Sequence, residues 1–166
     1  MSEAIKTDRL ILRPLQQEDA DRLHRAFSDP DVMRWFADVH TDLQQTRDWV
    51  MGTLREPVDK TREYAILRDG QVIGKAGIWN RPELGYLLTA DHWRQGLAFE
   101  ALSALLPHLF TLMELDHITA DVDPRNAPSL GLLHKLGFVE THSAKDTIKI
   151  AGEWGDSIYL RLSAPV

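Results

Sequence analysis

The chain has no cysteine among its 166 residues, and this absence removes several chemistries at once. Disulfide bonds, thiolate metal sites and cysteine nucleophiles are all excluded. A chain without disulfides suits a reducing compartment, so we expect a cytoplasmic protein. No apolar run reaches the roughly 18 residues of a membrane-spanning helix. The stretch MSEAIKTDRL also lacks the basic-then-apolar pattern of a secretory signal. We therefore expect no membrane partner.

Signatures of several catalytic and binding classes are also missing. There is no G-x-x-x-x-G-K-[ST] loop for nucleotides and no G-x-S-x-G elbow of a hydrolase. Seven histidines are scattered without the i, i+4 pair and intervening glutamate of a zinc site, so we expect no metal. Basic residues are in the minority, since 19 Lys and Arg stand against 25 Asp and Glu. The formal net charge of -6 disfavours nucleic acid and permits a cationic substrate.

The composition is that of a globular protein, 43% apolar and 27% charged, and we expect residues 1–166 to form one domain. Apolar spacing predicts strands at 9–15, 64–80 (two strands around Asp69-Gly70), 83–89, 117–122 and 156–162. It predicts helices at 17–29 and 41–54, a third that begins within 91–106, and a fourth at 127–138. Residues 30–40 and a polar loop at 141–155 are predicted to be irregular. The order predicts a mixed α/β (α+β) fold, a mixed sheet flanked by helices.

The stretch DHWRQGLAFEALSALL, residues 91–106, joins an apolar strand to an apolar helix. Small residues, Gly96 and Ala98, stand at the junction. The first turn of a helix leaves backbone N–H groups without partners and carries the positive end of the helix dipole. Small side chains would let a phosphate approach those N–H groups, and Arg94 would add a charge-assisted contact. From this stretch alone, a plain tight turn is the commoner explanation.

A second strand–helix junction begins at Asn126, in NAPSLGLLHKLGF. Asn126 suits a helix cap or an amide contact to a ligand, and Ser129 in the same turn suits a cap, with its hydroxyl near the strand ends. Pro128 is tolerated because it falls in the first helical turn. Two neighbouring strands that each end in a helix start would form one crevice. In open α/β sheets, ligands lie in such crevices at the carboxyl ends of strands.

The segments ELGYLLTADHWRQGLAFEA and DVDPRNAPSLGLLHKLGF together resemble the GCN5-related N-acetyltransferase (GNAT) superfamily. The branch they resemble is the ribosomal-protein-alanine N-acetyltransferase-like one, and the resemblance covers nearly the whole chain. It implies a GNAT-type central, mixed, splayed sheet and acetyl-CoA as cosubstrate. It also implies direct transfer of the acetyl group to a primary amine in a ternary complex. The acceptor would be a protein N-terminus or a small-molecule amine, and the enzyme a monomer or homodimer.

The resemblance also implies roles for the two junctions. The family loop Q/R-x-x-G-x-G/A aligns with Gly96 and Ala98, and Trp93 departs from its first position. An asparagine that contacts the pantetheine arm aligns with Asn126. The backbone N–H of Leu88 would stabilise the tetrahedral intermediate. The residues whose backbone N–H groups would bind the pyrophosphate are Arg94, Gln95, Gly96, Leu97 and Ala98.

Two catalytic side chains are implied beside these backbone groups. Many GNAT enzymes carry a tyrosine where this chain has Leu133, and Ser129 stands where this branch places a serine as donor to the leaving sulfur. The attacking amine must be neutral, yet a lysine-type amine is neutral in only about one molecule in a thousand near pH 7. A carboxylate or a water chain must therefore accept a proton. Glu83 is the candidate base, although an exposed charge at a strand end explains it equally well.

Weaker base candidates are Asp38 and the pair Glu153/Asp156. Trp35-Phe36 either line the acceptor pocket or serve as a packing anchor. A non-catalytic acyl-CoA-binding sensor or interaction module with the same fold would also keep both junctions, but Ser129 together with an accessible carboxylate favours the enzyme. A nucleic-acid-binding domain is disfavoured by the acidic balance and the lack of a basic stripe.

Overall fold

An eight-stranded mixed sheet flanked by helices forms the centre of the computed structural model, which describes residues 4–166. The strands are β1 (Ile5–Lys6), β2 (Ile11–Pro14), β3 (Arg62–Arg68), β4 (Gln71–Asn80), β5 (Glu83–Leu88), β6 (His117–Val122), β7 (Val139–Ile150) and β8 (Glu153–Ser163). The helices are α1 (Ala20–Phe27), α2 (Pro30–Met33), α3 (Leu43–Arg55), α4 (Leu97–Leu112) and α5 (Ala127–Lys135). The mixed α/β class expected from the sequence is confirmed.

The sheet order is β1-β2-β3-β4-β5-β6-β8-β7. Every neighbouring pair is antiparallel except β5 and β6, which run parallel. Because side chains alternate across a strand, the two faces of the sheet build separate cores. Even-numbered residues of β5 pack with α4 and α5, and Leu87 packs with α1 and α3. None of the helices in this described part of the chain has the length and apolar character to cross a membrane.

The strands β5 and β6 are joined at one end only. Their single register pair is Glu83 with Thr119, and the Thr119 N–H donates to the Pro82 carbonyl at 3.0 Å. Both residues lie in the early part of their strands, and beyond them the strands separate. The result is an opening towards the carboxyl ends of β5 and β6. The turns that lead into α4 and α5 stand on either side of it.

The tight turns follow their sequence signals. Asp69 and Gly70 both have positive φ, 50° and 77°, as the two-residue hairpin between β3 and β4 requires. Helix α5 ends before Gly137, whose φ of 100° allows the chain to reverse there. Local conformational preference therefore decides where these elements stop.

The prediction of a polar loop at 141–155 is wrong, because most of this segment belongs to the long hairpin of β7 and β8. Nearly all 12 residues of β7 are exposed, so no apolar alternation marks it as a strand. Irregular register after Glu140 and between Ala144 and Ile148 further obscures any period of two. Its backbone pairing with β8 holds it in the sheet. The segment 30–40 is irregular as predicted, apart from the short α2.

Candidate active site

The backbone of β5 presents donors to the opening. The Thr89 N–H donates to the Ile73 carbonyl at 2.9 Å, and the register of β4 and β5 is regular from there back to Leu84. Hydrogen-bonded and non-hydrogen-bonded pairs alternate along an antiparallel ladder. The N–H groups of Tyr86 and Leu88 therefore face away from β4, towards the space from which β6 has departed. Leu88 is the residue whose N–H the family resemblance implies as the donor to the tetrahedral intermediate.

The turn between β5 and α4 leaves its N–H groups open. Gly96 is left-handed, with φ 76° and ψ 11°, and it caps α4 without any side-chain hydrogen bond. Arg94 also has positive φ, 60°. Within residues 4–166, the N–H groups of 94–98 donate to no acceptor, and the first bond of the helix runs from Glu100 N–H to the Gly96 carbonyl at 3.0 Å. Such a run of free donors at a helix start fits a diphosphate.

Two arginines that the sequence did not indicate hold this turn. The Arg9 guanidinium donates to the Gln95 carbonyl at 2.8 Å and to Glu100 Oε1 at 2.7 Å. The Arg68 guanidinium donates to Gln95 Oε1 at 2.7 Å. Both come from distant parts of the chain, so no local motif reveals them. Because Arg9 is paired with the Glu100 carboxylate, Arg68 supplies the uncompensated positive charge beside the open N–H groups, while the Arg94 side chain is exposed.

Trp93, which departs from the family loop, fastens the turn to β5. Its indole Nε1–H donates to the Leu88 carbonyl at 2.9 Å. That bond satisfies the carbonyl of the same residue whose N–H faces the opening. An aromatic side chain at this position therefore has a structural role that a glutamine or arginine would have to fill differently.

In the turn between β6 and α5, a side chain of the turn itself accepts a backbone N–H at the start of the helix. Asn126 Oδ1 accepts the Ser129 N–H at 3.3 Å and so caps α5. Within the described residues, Asn126 Nδ2 has no hydrogen-bond partner. The Ser129 hydroxyl shares a short hydrogen bond with the Tyr86 hydroxyl, which reaches it from β5 across the opening. Tyr86 escaped the sequence reasoning, and burial raises its pKa to about 12, so its hydroxyl is neutral near pH 7.

Glu83 lies on the opposite face of the sheet from Ser129. Its Oε2 accepts the indole N–H of Trp79 at 2.8 Å. Burial raises the pKa of Glu83, the Trp79 hydrogen bond opposes this, and the Asp121 charge adds to it. Gly85 follows on the same face, where a Cβ would lie 3.3 Å from Trp79 Cδ1. A carboxylate with raised proton affinity therefore stands on one face and a pair of hydroxyls on the other.

A cavity of about 570 Å³ lies on the Glu83 side of the molecule, between the segment 30–41 and the tip of the β7–β8 hairpin. Trp35 lines it, with the guanidiniums of Arg34 and Arg125 each 4.5 Å from its ring centre. Phe36 packs instead against the core beneath α1 and α3. Trp35 therefore lines a cavity, whereas its neighbour Phe36 is a packing residue.

Two of the three weaker base candidates have structural partners. Asp38 Oδ1 accepts the Ala151 N–H at 2.7 Å, which ties the cavity wall to the hairpin tip. Asp156 Oδ1 accepts the Asp146 N–H at 2.9 Å within the hairpin. Glu153 lines the cavity and is exposed. Across residues 4–166, no group of three His, Asp or Glu side chains is arranged to hold a metal ion.

Comparison with known proteins agrees with this geometry. Residues 9–139 match the family described as an acetyltransferase (GNAT) domain. The uncharacterized N-acetyltransferase p20 of Bacillus licheniformis is 35% identical over 160 residues, which cover 90% of each chain. The [ribosomal protein uS5]-alanine N-acetyltransferase of Escherichia coli is 30% identical over 179 residues, covering 97% of this chain and 91% of that protein.

A solved structure extends the likeness to the fold. RimL, a ribosomal L7/L12 alpha-N-protein acetyltransferase in complex with coenzyme A, superposes with a TM-score of 0.88. The match covers 98% of both chains at 19% sequence identity. The family match over most of the chain and the identity to curated relatives both point the same way as the open helix start and the splayed strands. The chain therefore belongs to the GNAT family of N-acetyltransferases.

Proposed function

We propose that the protein transfers the acetyl group of acetyl-CoA directly to the N-terminal amine of a protein or peptide, within a ternary complex. The observation that carries the proposal is the opening between β5 and β6, which has backbone donors along its edge. The Glu83 carboxylate lies on one face of the sheet, at the end of the opening where the strands are still joined. The Tyr86–Ser129 hydroxyl pair lies on the other face, where the strands have separated. Reacting groups that meet in this opening have a proton acceptor and a hydrogen-bond donor on opposite sides.

The turn before α4 and the cap of α5 fit the cofactor. The free N–H groups of residues 94–98, with Arg9 and Arg68 behind them, would hold the diphosphate. Asn126 Nδ2 would donate to the pantetheine arm. When bound, acetyl-CoA supplies an acetyl thioester that an amine can attack with release of the thiol. The Leu88 N–H would stabilise the thioester oxygen as negative charge develops on it, an effect worth about 3 kcal/mol for one such donor.

Once the amine is neutral, transfer moves one proton overall, from the amine nitrogen to the thiol sulfur. Glu83 would accept a proton on the amine side, and its raised pKa makes it a stronger base than an ordinary carboxylate. Ser129 would donate a hydrogen bond to the sulfur on the other side. A serine hydroxyl hardly ionises, so it acts as a hydrogen-bond donor and not as an acid. The released thiolate would take its proton from water, and Glu83 would return the amine proton to water.

The cavity beside the hairpin tip would receive the acceptor chain. Its lining contains the carboxylates of Asp38, Asp123 and Glu153 against the guanidiniums of Arg34 and Arg125, and this excess of negative charge favours a cationic terminus. Trp35 and the aliphatic side chains around it offer apolar surface to the residues that follow. The identity to a uS5-alanine N-acetyltransferase supports a protein amine over a free amino acid.

The test is thiol release from acetyl-CoA with three acceptors: a short peptide that begins with alanine, the same peptide with a blocked amine, and the polyamine spermidine. We expect turnover with the free peptide and none with the blocked one. Glu83→Gln should lower kcat/KM for the peptide by about a hundredfold, while Asp156→Asn, a matched carboxylate change in the hairpin, should leave it within about threefold. Turnover with spermidine alone would contradict the assigned acceptor class, and no turnover would contradict the reaction.

A further inference from the structure

The hydrogen bond between Tyr86 and Ser129 joins the two sides of the opening. Tyr86 lies in the middle of β5, and Ser129 lies in the first turn of α5, which follows β6. Their side chains meet beyond the single register pair of the two strands, on the face covered by α4 and α5. The contact therefore fixes the Ser129 hydroxyl where the strands have separated.

We propose that Tyr86 is a positioning residue, which donates its hydroxyl proton to Ser129 Oγ and so directs the Ser129 hydroxyl at the departing sulfur. The proposal rests on the proposed function, because it specifies how Ser129 serves that reaction. It assigns a role to a residue that neither junction motif includes.

The direction of this hydrogen bond follows from the two hydroxyls. A phenol, with an ordinary pKa of about 10, is far more acidic than an aliphatic alcohol and is the stronger donor. The serine oxygen is in turn the stronger acceptor. When Tyr86 donates, the single proton of Ser129 stays available. Within residues 4–166, Ser129 Oγ has no second partner, so that proton is free to point into the opening.

Tyr86 keeps its own proton throughout. Burial raises its pKa to about 12, whereas an ordinary thiol has a pKa of about 8.5. Transfer of the phenol proton to a thiolate would be unfavourable by about three and a half powers of ten. Tyr86 therefore acts through the orientation of Ser129, and no bond of Tyr86 is made or broken.

The other two tyrosines are engaged elsewhere. The Tyr64 hydroxyl lies 3.1 Å from His108 Nε2, between β3 and α4. The Tyr159 ring stacks on His142, with 4.4 Å between ring centres, in the β7–β8 hairpin. On α5 itself, position 133 is a fully buried leucine. In this chain a phenol reaches Ser129 from β5.

A double-mutant cycle tests the assignment. Tyr86→Phe should lower kcat about tenfold and Ser129→Ala about a hundredfold, with the KM for acetyl-CoA within about threefold of natural. The double variant should match Ser129→Ala, because Tyr86 then has nothing to position. Tyr159→Phe, which removes a phenol hydroxyl outside the site, should leave kcat unchanged. The acceptor in every assay is the short peptide that begins with alanine.

Two measurements without turnover accompany the cycle. The Kd for coenzyme A, by calorimetry, should stay within about threefold in all four variants. The melting temperatures of Tyr86→Phe, Ser129→Ala and the double variant should be non-additive, since the bond is lost once only. Additive Tm shifts, multiplicative losses of kcat, or full kcat in Tyr86→Phe would each overturn the role of Tyr86 while the acetyl transfer stands. No turnover by the natural protein would overturn both.

Discussion

The two turns that flank the opening begin their helices in opposite ways. At the start of α4, Gly96 caps the helix without a side chain, and the N–H groups of 94–98 stay open. At the start of α5, the Asn126 side chain accepts the Ser129 N–H and satisfies the turn from within. The first turn can therefore bind an anion with its backbone. The second is free to present side chains, Asn126 Nδ2 and the Ser129 hydroxyl.

The largest effect is expected when a negative charge is placed in the turn before α4, where the backbone N–H groups have no partners. Gly96→Asp and Gly96→Asn both put a residue that tolerates left-handed backbone at φ 76°. They differ in charge and hardly in shape. Aspartate should weaken acetyl-CoA binding by about a hundredfold through repulsion of the diphosphate, and asparagine by less than about fivefold.

Calorimetry on both Gly96 variants measures the effect. Circular dichroism, expected to be the same for the two, controls for folding. Equal affinities in Gly96→Asp and Gly96→Asn would mean that no anion lies at this turn.

A second pair of variants separates capping from ligand binding at the other turn. Asn126→Asp keeps an oxygen that accepts the Ser129 N–H, and Asn126→Ala does not. Alanine should lower the free energy of unfolding by about 1 kcal/mol, whereas aspartate should leave it nearly unchanged. Both lose the Nδ2 donor, so both should weaken acetyl-CoA binding by about tenfold. Full affinity in Asn126→Asp would confine Asn126 to the cap.

The smallest predicted effect is the pH dependence of stability that arises from Glu83. Its side chain lies on the face of the sheet opposite Ser129. Its folded pKa lies above its ordinary value of 4.5, so the folded state holds the proton more tightly than the unfolded chain. The contribution of Glu83 to stability therefore grows as pH falls towards 4.5 and is lost as pH rises through the folded pKa. Urea unfolding should find Glu83→Gln more stable than the natural protein at neutral pH, with a difference that shrinks on acidification. A difference independent of pH would contradict the raised pKa.

Much of the fold could be predicted from the sequence because its signals are local. Asp69-Gly70 fixes a hairpin, Gly137 ends α5, and the apolar run after Gly96 forms α4. The strand β7 escaped prediction because nearly all its side chains are exposed and its pairing with β8 holds it in the sheet. A strand held by an edge of the sheet leaves no mark in the apolar pattern.

The site residues also fall into two groups, those with a local sequence signal and those without one. The junctions at Gly96 and Asn126 could be predicted, since each pairs a strand end with a helix start in one short segment. Arg9, Arg68 and Tyr86 could not, because each reaches its partner from another strand or loop. Register and the splay of β5 from β6 decide those meetings, and a single sequence does not encode them in any local spacing.

Amide NMR during titration with coenzyme A tests most directly which of the two turns binds the cofactor through its backbone. The N–H groups of the turn before α4 and of the turn before α5 are then observed in the same spectrum. We predict that the N–H signals of Arg94, Gln95, Gly96, Leu97 and Ala98 shift most, while the Ser129 N–H, already bonded to Asn126, shifts little. Largest shifts away from residues 94–98, or none at any of these groups, would contradict the assignment of the cofactor to the uncapped start of α4.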